Sequence, residues 1–202
     1  AGKSNHEGLP EAETKSYVNL YRSGVPLVEI VSEPDMHSLD EVRQYVNKIR
    51  TVLRYLGVSS GDMEKGDMRF EANVSLRPLG ETKLGNRVEI KNLNSFRAVL
   101  RSLEFEIARQ RQVLASGGRI DQETMGWDEA RNVTVLQRSK EEAQDYRYFP
   151  EPDLPPLVFA PAWVEAIRAK LPELPDARRD RFLADYGLSR YDANLLVADK
   201  AV

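Results

Sequence analysis

Cysteine is absent from the 202-residue sequence, which excludes disulfides and thiolate metal sites within it and fits a reducing compartment. The two histidines, His6 and His37, have no neighbours at metal-ligand spacing, so neither indicates a histidine metal site. No apolar run approaches the roughly 20 residues that a membrane-spanning helix needs. The 29 basic and 32 acidic side chains nearly balance, and any contact with nucleic acid must therefore be local.

The length allows a substantial core in one large domain or a domain and a half. The sequence starts at Ala1 without an initiator Met or a signal pattern, and it stops at Val202 within a predicted helix. We therefore expect a piece of a longer protein. Gly-Lys-Ser at 2–4 suggests a phosphate-binding P-loop, but the sequence shows neither the upstream glycine nor a preceding strand. We reject that motif and expect residues 1–15 to form a loop.

Regular elements follow from periodicity. Strands are predicted by alternating or β-rich stretches at Tyr17–Tyr21, Val25–Val31, Met68–Arg77, Arg87–Asn92 and Val133–Leu136. We expect the first two to pair as a hairpin, and the third to pair with the fourth through the loop around Gly80 and Gly85. Helices are predicted from the capping box of Ser38 and Glu41 to Gly57, from Phe96 to about Ser116, and at Ala162–Lys170, Asp176–Tyr186 and Tyr191–Lys200.

These elements predict an α+β domain with a mainly antiparallel sheet at residues 1–153, followed by the start of an all-helical domain at 154–202. The boundary lies in the proline-rich stretch Asp145–Pro156, where four prolines disfavour regular structure. The aromatic side chains of this stretch are expected to pin it to the first domain. They are Tyr146, Tyr148 and Phe149.

Polar side chains of mixed chemistry recur at every second position of two predicted strands. The first strand places Arg69, Glu71, Asn73 and Ser75 opposite its apolar residues, and the second places Glu89 and Lys91 opposite Val88, Ile90 and Asn92. If the two strands pair, these polar groups share one sheet face able to hold a polar ligand.

A helix is predicted to begin directly after the second strand, with Asn94 and Ser95 supplying the capping oxygens. A helix N-terminus beside Lys91 and Glu89 suits a phosphate and a divalent metal. The same residues also fit an ordinary capped junction beside a solvated strand edge.

Four motifs, in order along essentially the whole chain, resemble the B-type subunit of the aspartyl/glutamyl-tRNA(Asn/Gln) amidotransferases. They are GVPLVEIVSEPD (24–35), RFEANVSLRP (69–78), VEIKNLNSF (88–96) and DYRYFPEPDLPPL (145–157). The resemblance implies a cytoplasmic ligase that uses ATP and Mg²⁺ to phosphorylate the side-chain carboxylate of misacylated Glu-tRNA(Gln) or Asp-tRNA(Asn). Ammonia released from glutamine by the amidase (A-type) subunit then gives the amide, and a small (C-type) subunit completes the complex. The implied fold is similar to the sheet of glutamine synthetase and the guanidino kinases.

The resemblance also implies roles for individual residues. Glu89 would be a magnesium ligand, and Glu89 and Lys91 would be catalytic. The ATP site would be lined by Arg69, Glu71, Asn73, Ser75, Asn92, Asn94 and Ser95. The family's Glu-x-His segment and its C-terminal tRNA-binding tail do not occur in the sequence, so we expect this chain alone to be inactive.

Two alternatives stay open. The segment could be a non-catalytic scaffold that docks the amidase and small subunits, with Glu89 merely structural. The direction in which the strand side chains point separates the scaffold from the catalytic interpretation. A catalytic site requires Arg69, Glu71 and Glu89 to face one open pocket. The other alternative is the archaeal relative that acts only on Glu-tRNA and carries an inserted domain, which the sequence does not show.

Overall fold

A computed structural model describes residues 3–5, 17–21, 24–139 and 152–201. The chain divides into two compact units, residues 1–36 and 37–202. In the first unit, strand β1 (Lys3–Asn5) pairs antiparallel with β2 (Tyr17–Asn19). The loop expected at 1–15 therefore contains a strand, and this strand is the partner of the one predicted at Tyr17.

The predicted strand Val25–Val31 is wrong, and so is its hairpin with Tyr17–Tyr21. The described residues 24–36 contain no strand, and Leu27 and Val28 are 86% and 83% exposed. A β-rich composition forms a strand only where a neighbour accepts the backbone hydrogen bonds and covers one face. The result is an exposed apolar stretch that holds Glu29 within it.

The second unit begins with helix α1 (Leu39–Leu56), whose two ends follow the sequence signals. The Ser38 hydroxyl accepts from the Glu41 amide at 3.2 Å, and the Glu41 carboxylate accepts from the Ser38 amide at 2.9 Å. Gly57 ends the helix in the left-handed region, at a φ of 68° that favours glycine. The predicted capping box and glycine stop are confirmed.

The second unit also contains a sheet with the strand order β3-β4-β5-β6. Its strands are β3 (Phe70–Val74), β4 (Val88–Leu93), β5 (Glu123–Asp128) and β6 (Val133–Ser139). The predicted β3–β4 pair is confirmed as antiparallel, and so is the α+β class. The sheet is nevertheless mixed, because β4 and β5 run parallel. Parallel neighbours need a crossover connection, and helix α2 (Phe96–Ala115) supplies it.

Helix α2 packs on one face of this sheet over a core that includes Ile90, Leu93, Val99, Leu103 and Trp127. Trp127 is a packing residue of this core, with its ring 6.4 Å from that of Phe105. Apolar periodicity along α2 would also bury Leu114, but this side chain is 43% exposed. The buried row of the helix continues instead through Glu106 and Gln110, both 0% exposed.

The buried Glu106 carboxylate is held by four hydrogen bonds. Arg109 donates two, at 2.9 and 2.7 Å, while the Gln110 amide and the Thr134 hydroxyl each donate one at 3.0 Å. A buried carboxylate is tolerated where such donors replace water. This network therefore joins α2 to β6 through buried polar contacts. The spacing of apolar residues along the helix does not predict such contacts.

Three helices follow: α3 (Pro161–Arg168), α4 (Pro175–Tyr186) and α5 (Arg190–Leu196). They confirm the three predicted helices, although the last ends at Leu196 rather than at Lys200. The Asp176 carboxylate pairs with Lys48 of α1, and the Tyr55 hydroxyl donates to the Val197 carbonyl at 2.9 Å. The last two helices therefore pack with α1.

The domain boundary expected between residues 153 and 154 stays a prediction. Most of the proline-rich stretch, with Tyr146, Tyr148 and Phe149, lies outside the described residues. Within the described ranges, no helix combines the length and the apolarity needed to cross a membrane.

Candidate functional site

Two rows of side chains cross the face of the sheet opposite α2. Asn73, Glu89 and Thr124 are register partners on β3, β4 and β5 and form the first row. In the second row, Lys91 is the register partner of Gly126, and Glu71 lies across from it on β3. Alternation along each strand therefore brings polar groups from three strands onto one face.

Lys91 lies between two carboxylates on this face. Its ammonium nitrogen is 3.6 Å from Glu71 Oε1 and 3.7 Å from Glu89 Oε1. The three side chains are 38%, 53% and 24% exposed, so water reaches all of them. Such open ion pairs contribute about 0 to 1 kcal/mol each to stability. The fold gains little from this cluster, which leaves its charges available to a ligand.

Glu89 is oriented by a second contact. The Thr124 hydroxyl donates to Glu89 Oε2 at 2.9 Å, while the other oxygen faces Lys91. Thr124 is 4% exposed, so its hydroxyl is held by packing. The carboxylate consequently presents one oxygen to the open side of the sheet and keeps the other against β5.

Asn92 does not continue the face of Val88 and Ile90, contrary to expectation. Phe70 pairs with Leu93 and Ala72 with Ile90, so β4 carries one more residue than β3 between these pairs. This is a β-bulge, and Asn92 occupies it with a positive φ of 62°, a conformation that asparagine tolerates better than most residues. Asn92 is exposed as a result, and Leu93 returns to the core.

The remaining predicted residues lie around the cluster without joining it. Arg69 is exposed directly before β3, Ser75 is half-buried directly after it, and Asn94 is exposed before α2. In the part of the chain that the structure describes, none of these three side chains makes a hydrogen bond or ion pair with Glu71, Glu89 or Lys91. The Ser95 hydroxyl accepts from the backbone amide of Ala98 at 3.0 Å and thus caps α2.

A site on this face requires its side chains to point to the same side of the sheet. Glu71 and Glu89 do so, because both contact Lys91. The burial pattern of β3 extends this orientation to Asn73, because positions 71 and 73 are exposed while 70, 72 and 74 are half-buried. The predicted polar face therefore exists, while the roles predicted for its residues stay predictions.

A different charged cluster lies on the helix side of the sheet, around Glu106. The hydrogen bond from Arg109 to Glu106 raises the pKa of Arg109 against the opposing effect of burial, and Glu123 adds to it from 3.7 Å. Both oxygens of Glu106 accept hydrogen bonds within the fold. This cluster is structural, whereas the open cluster at Lys91 has unused capacity.

The described ranges contain no group of three or more acidic, histidine or cysteine side chains that could hold a metal. Magnesium commonly takes only one or two protein carboxylates and completes its shell with phosphate oxygens and water. Glu71 and Glu89, which converge from two strands, fit that smaller donor set.

Sequence reasoning missed three residues of this face: Thr124, Gly126 and Gln137. The first two lie on strand β5, which was not predicted, and Gln137 lies on β6 just beyond the predicted end of that strand. The signal for β5 was the alternation of Thr124 and Gly126 with the apolar Met125 and Trp127. A glycine within a strand also indicates a close approach of other groups.

A family model described as the GatB/GatE catalytic domain matches residues 1–165 of the chain. Several curated relatives carry the name of the B-type subunit of aspartyl/glutamyl-tRNA(Asn/Gln) amidotransferase. The chain is 54% identical over 98% of its length to the relative from Dehalococcoides mccartyi, and 55% identical over 97% to that from Carboxydothermus hydrogenoformans. Identity with the relative from Methylorubrum extorquens is 56% over 100%. The chain spans only 40%, 41% and 40% of these three relatives, respectively.

Proposed function

Because the chain belongs to the GatB/GatE catalytic domain family, we propose that it carries the phosphorylation site of a tRNA-dependent amidotransferase. The proposed reaction is ATP-dependent phosphorylation of the side-chain carboxylate of misacylated Glu-tRNA(Gln) or Asp-tRNA(Asn), followed by amidation with ammonia. The observation that carries this proposal is the open polar sheet face on which Lys91 lies between Glu71 and Glu89.

Lys91 is the cation that meets the phosphoryl group in this proposal. Its ammonium group is held near the site by two carboxylates at 3.6 and 3.7 Å, distances longer than a tight ion pair. A more highly charged ligand can therefore compete for it. Phosphoryl transfer demands mainly positioning and charge neutralisation, and it needs no protein nucleophile.

Glu89 is the proposed protein ligand of magnesium, with Glu71 as its neighbour. The Thr124 hydrogen bond fixes Glu89 Oε2 and leaves Oε1 on the open side, which suits a hard cation. When bound, magnesium supplies positive charge beside the phosphate oxygens. Glu89 thus has two tasks, because it orients Lys91 in the free protein and accepts the ion with the nucleotide.

The nucleotide is proposed to lie across the two rows of the sheet face and the start of α2. Asn73 and Asn92 offer amide groups from the sheet, and Arg69, Ser75 and Asn94 border it. Ser95 satisfies only one of the amides that a helix start leaves free, so others remain for phosphate oxygens. An open polar face backed by a helix layer also suits the proposed likeness to glutamine synthetase and guanidino kinase sheets.

The second step and the partners are proposals of the same kind. Ammonia from the amidase subunit displaces the phosphate, the small subunit completes the complex, and the acceptor end of the tRNA presents the carboxylate. The acyl phosphate must be shielded from water, which would otherwise compete with ammonia. The chain spans about two-fifths of the length of its relatives, so we expect turnover to require the remaining parts of such a protein as well. The proposed compartment is the cytoplasm.

A scaffold that docks the partner subunits is the second candidate. It is favoured by one observation, the exposed apolar stretch in which Leu27, Val28 and Val31 are 86%, 83% and 80% exposed. Patches of exposed apolar side chains are typical of protein interfaces. In this interpretation Glu89 and Lys91 are ordinary solvent-exposed charges on the sheet face, and replacing either of them does not slow catalysis.

The deciding experiment replaces Glu89 with glutamine in the full-length complex. Amide formation is measured with ATP, magnesium, Glu-tRNA(Gln) and free ammonium, which bypasses the amidase subunit. We expect turnover to fall by about 100-fold or more, because a charged group of the phosphoryl site is lost. Glu81→Gln, in the exposed β3–β4 loop, is the matched control. Near-normal turnover of Glu89→Gln in an intact complex would contradict the proposal and favour the scaffold.

A further inference from the structure

Gly126 lies in the middle of the polar face, and a side-chain amide from the neighbouring strand fills the space above it. A Cβ atom at this position would overlap the side-chain nitrogen of Gln137, with the Gln137 Cδ at 2.9 Å and Asn92 Nδ2 at 3.2 Å. Gly126 is not among the glycines with positive φ, so its backbone alone would accept alanine. A Cβ at this position would force the Gln137 amide to move, whereas the Asn92 amide would need to shift only slightly.

Both amides are brought there by β-bulges on opposite sides of β5. Asn92 lies at the bulge of β4 described above. On β6, Leu136 pairs with Met125 and Arg138 pairs with Thr124, so Gln137 is the extra residue between these pairs. Bulges redirect side chains and occur often beside functional sites. Two independent irregularities therefore aim side chains at the same glycine.

The two amides have unused hydrogen-bonding capacity. Within the described residues, neither the Asn92 nor the Gln137 side chain makes a hydrogen bond, and both residues are exposed. Each amide carries two N–H donors and one acceptor oxygen. They lie beside Lys91, the register partner of Gly126. A cation next to converging N–H donors is suited to an anionic oxygen.

We propose that Asn92 and Gln137, converging over Gly126, form an amide clamp for an anionic oxygen of the reacting ligands. This inference rests on the proposed function and deepens it, because it adds Gln137 as a ligand-binding residue and Gly126 as the position that makes room for it. The oxygen belongs either to an ATP phosphate or to the side-chain carboxylate of the aminoacyl-tRNA. The two sources share their chemistry and differ in which KM the clamp controls.

The test uses the full-length complex with Gln137→Ala, Gly126→Ala and the double variant, assayed with free ammonium. We expect Gln137→Ala to raise the KM of one ligand, or to lower kcat, by about tenfold, as for one lost hydrogen bond to a charged group. A rise in the KM of ATP assigns the oxygen to the nucleotide, and a rise in the KM of Glu-tRNA(Gln) assigns it to the carboxylate. Gln122→Ala, an exposed glutamine directly before β5, is the control and should stay near wild type.

The double variant separates the clamp from a general packing defect. A Cβ at position 126 acts by displacing Gln137, so we expect the double variant to be no worse than Gln137→Ala alone. Thermal melting of each complex is measured in parallel and should change little for Gln137→Ala. Multiplied losses in the double variant, or Gln137→Ala kinetics equal to those of Gln122→Ala, would overturn the clamp. If that happens while Glu89→Gln is inactive, the proposed function still stands.

Discussion

Replacement of Glu106 is the sharpest test of how the sheet and α2 are joined. In Glu106→Ala the buried Thr134 hydroxyl loses its acceptor, and the Gln110 amide keeps only its longer hydrogen bond to the Val74 carbonyl at 3.4 Å. Each unsatisfied buried group costs about 1 to 3 kcal/mol. Arg109 is 28% exposed and lies 3.7 Å from Glu123, so it recovers part of its lost pairing. We therefore expect the free energy of unfolding to fall by about 3 to 5 kcal/mol.

Glu106→Gln keeps the volume and one acceptor oxygen but turns an NH₂ group toward donors, so a smaller loss of about 2 kcal/mol is expected. The assay is urea unfolding of the purified chain followed by far-UV circular dichroism. Glu104→Ala, on the exposed side of the same helix, is the control and should change stability by less than about 0.5 kcal/mol. If Glu106→Ala unfolds no more easily than Glu104→Ala, the network does not stabilise the fold and this reasoning is refuted.

Two further predictions concern the contacts of the last helices with α1. The hydrogen bond from Lys48 lowers the pKa of Asp176 below its usual 3.8, so its stabilising contribution is present above that pH and is lost as the pH falls through the folded-state pKa. Asp176→Asn should cost up to about 1 kcal/mol at neutral pH, because both partners are about half exposed, and progressively less as the pH falls below 3.8. A cost that does not fall with pH would refute this. Tyr55→Phe removes the 2.9 Å hydrogen bond to Val197 and should lower the unfolding free energy by about 1 kcal/mol in the same urea assay. Its control is Tyr191→Phe, 76% exposed, and identical stability of the two variants would contradict the contact.

The sequence predicted best those structural features that depend only on residues close together in the chain. The capping box of Ser38 and the stop at Gly57 are local, and both ends of α1 follow from them. The stretch Val25–Val31 failed for the opposite reason, since a strand depends on a partner that the sequence does not name. Strand β5 was missed because Gly126 interrupts its β-rich pattern, and the close approach of Gln137 to this glycine is visible only in the structure.

Part of the candidate site could likewise be predicted from local sequence alone. Alternation placed Glu71, Asn73 and Glu89 on one face correctly, because period-two geometry is intrinsic to a strand. It misplaced Asn92, because a bulge interrupts the period and depends on the register with β3. The buried Glu106 could not be anticipated, since a charged residue on an amphipathic helix ordinarily faces water.

The bulge at Asn92 also limits how this protein can change through evolution. Deleting that one residue would let Leu93 follow Lys91 in ordinary alternation and keep its place on the core side, whereas inserting one residue would turn Leu93 to the open face. A substitution at Asn92 alters only the chemistry of the face and a deletion removes the bulge, whereas an insertion alters the core as well. Among changes of length in this strand, an added residue is therefore the one expected to disturb the core.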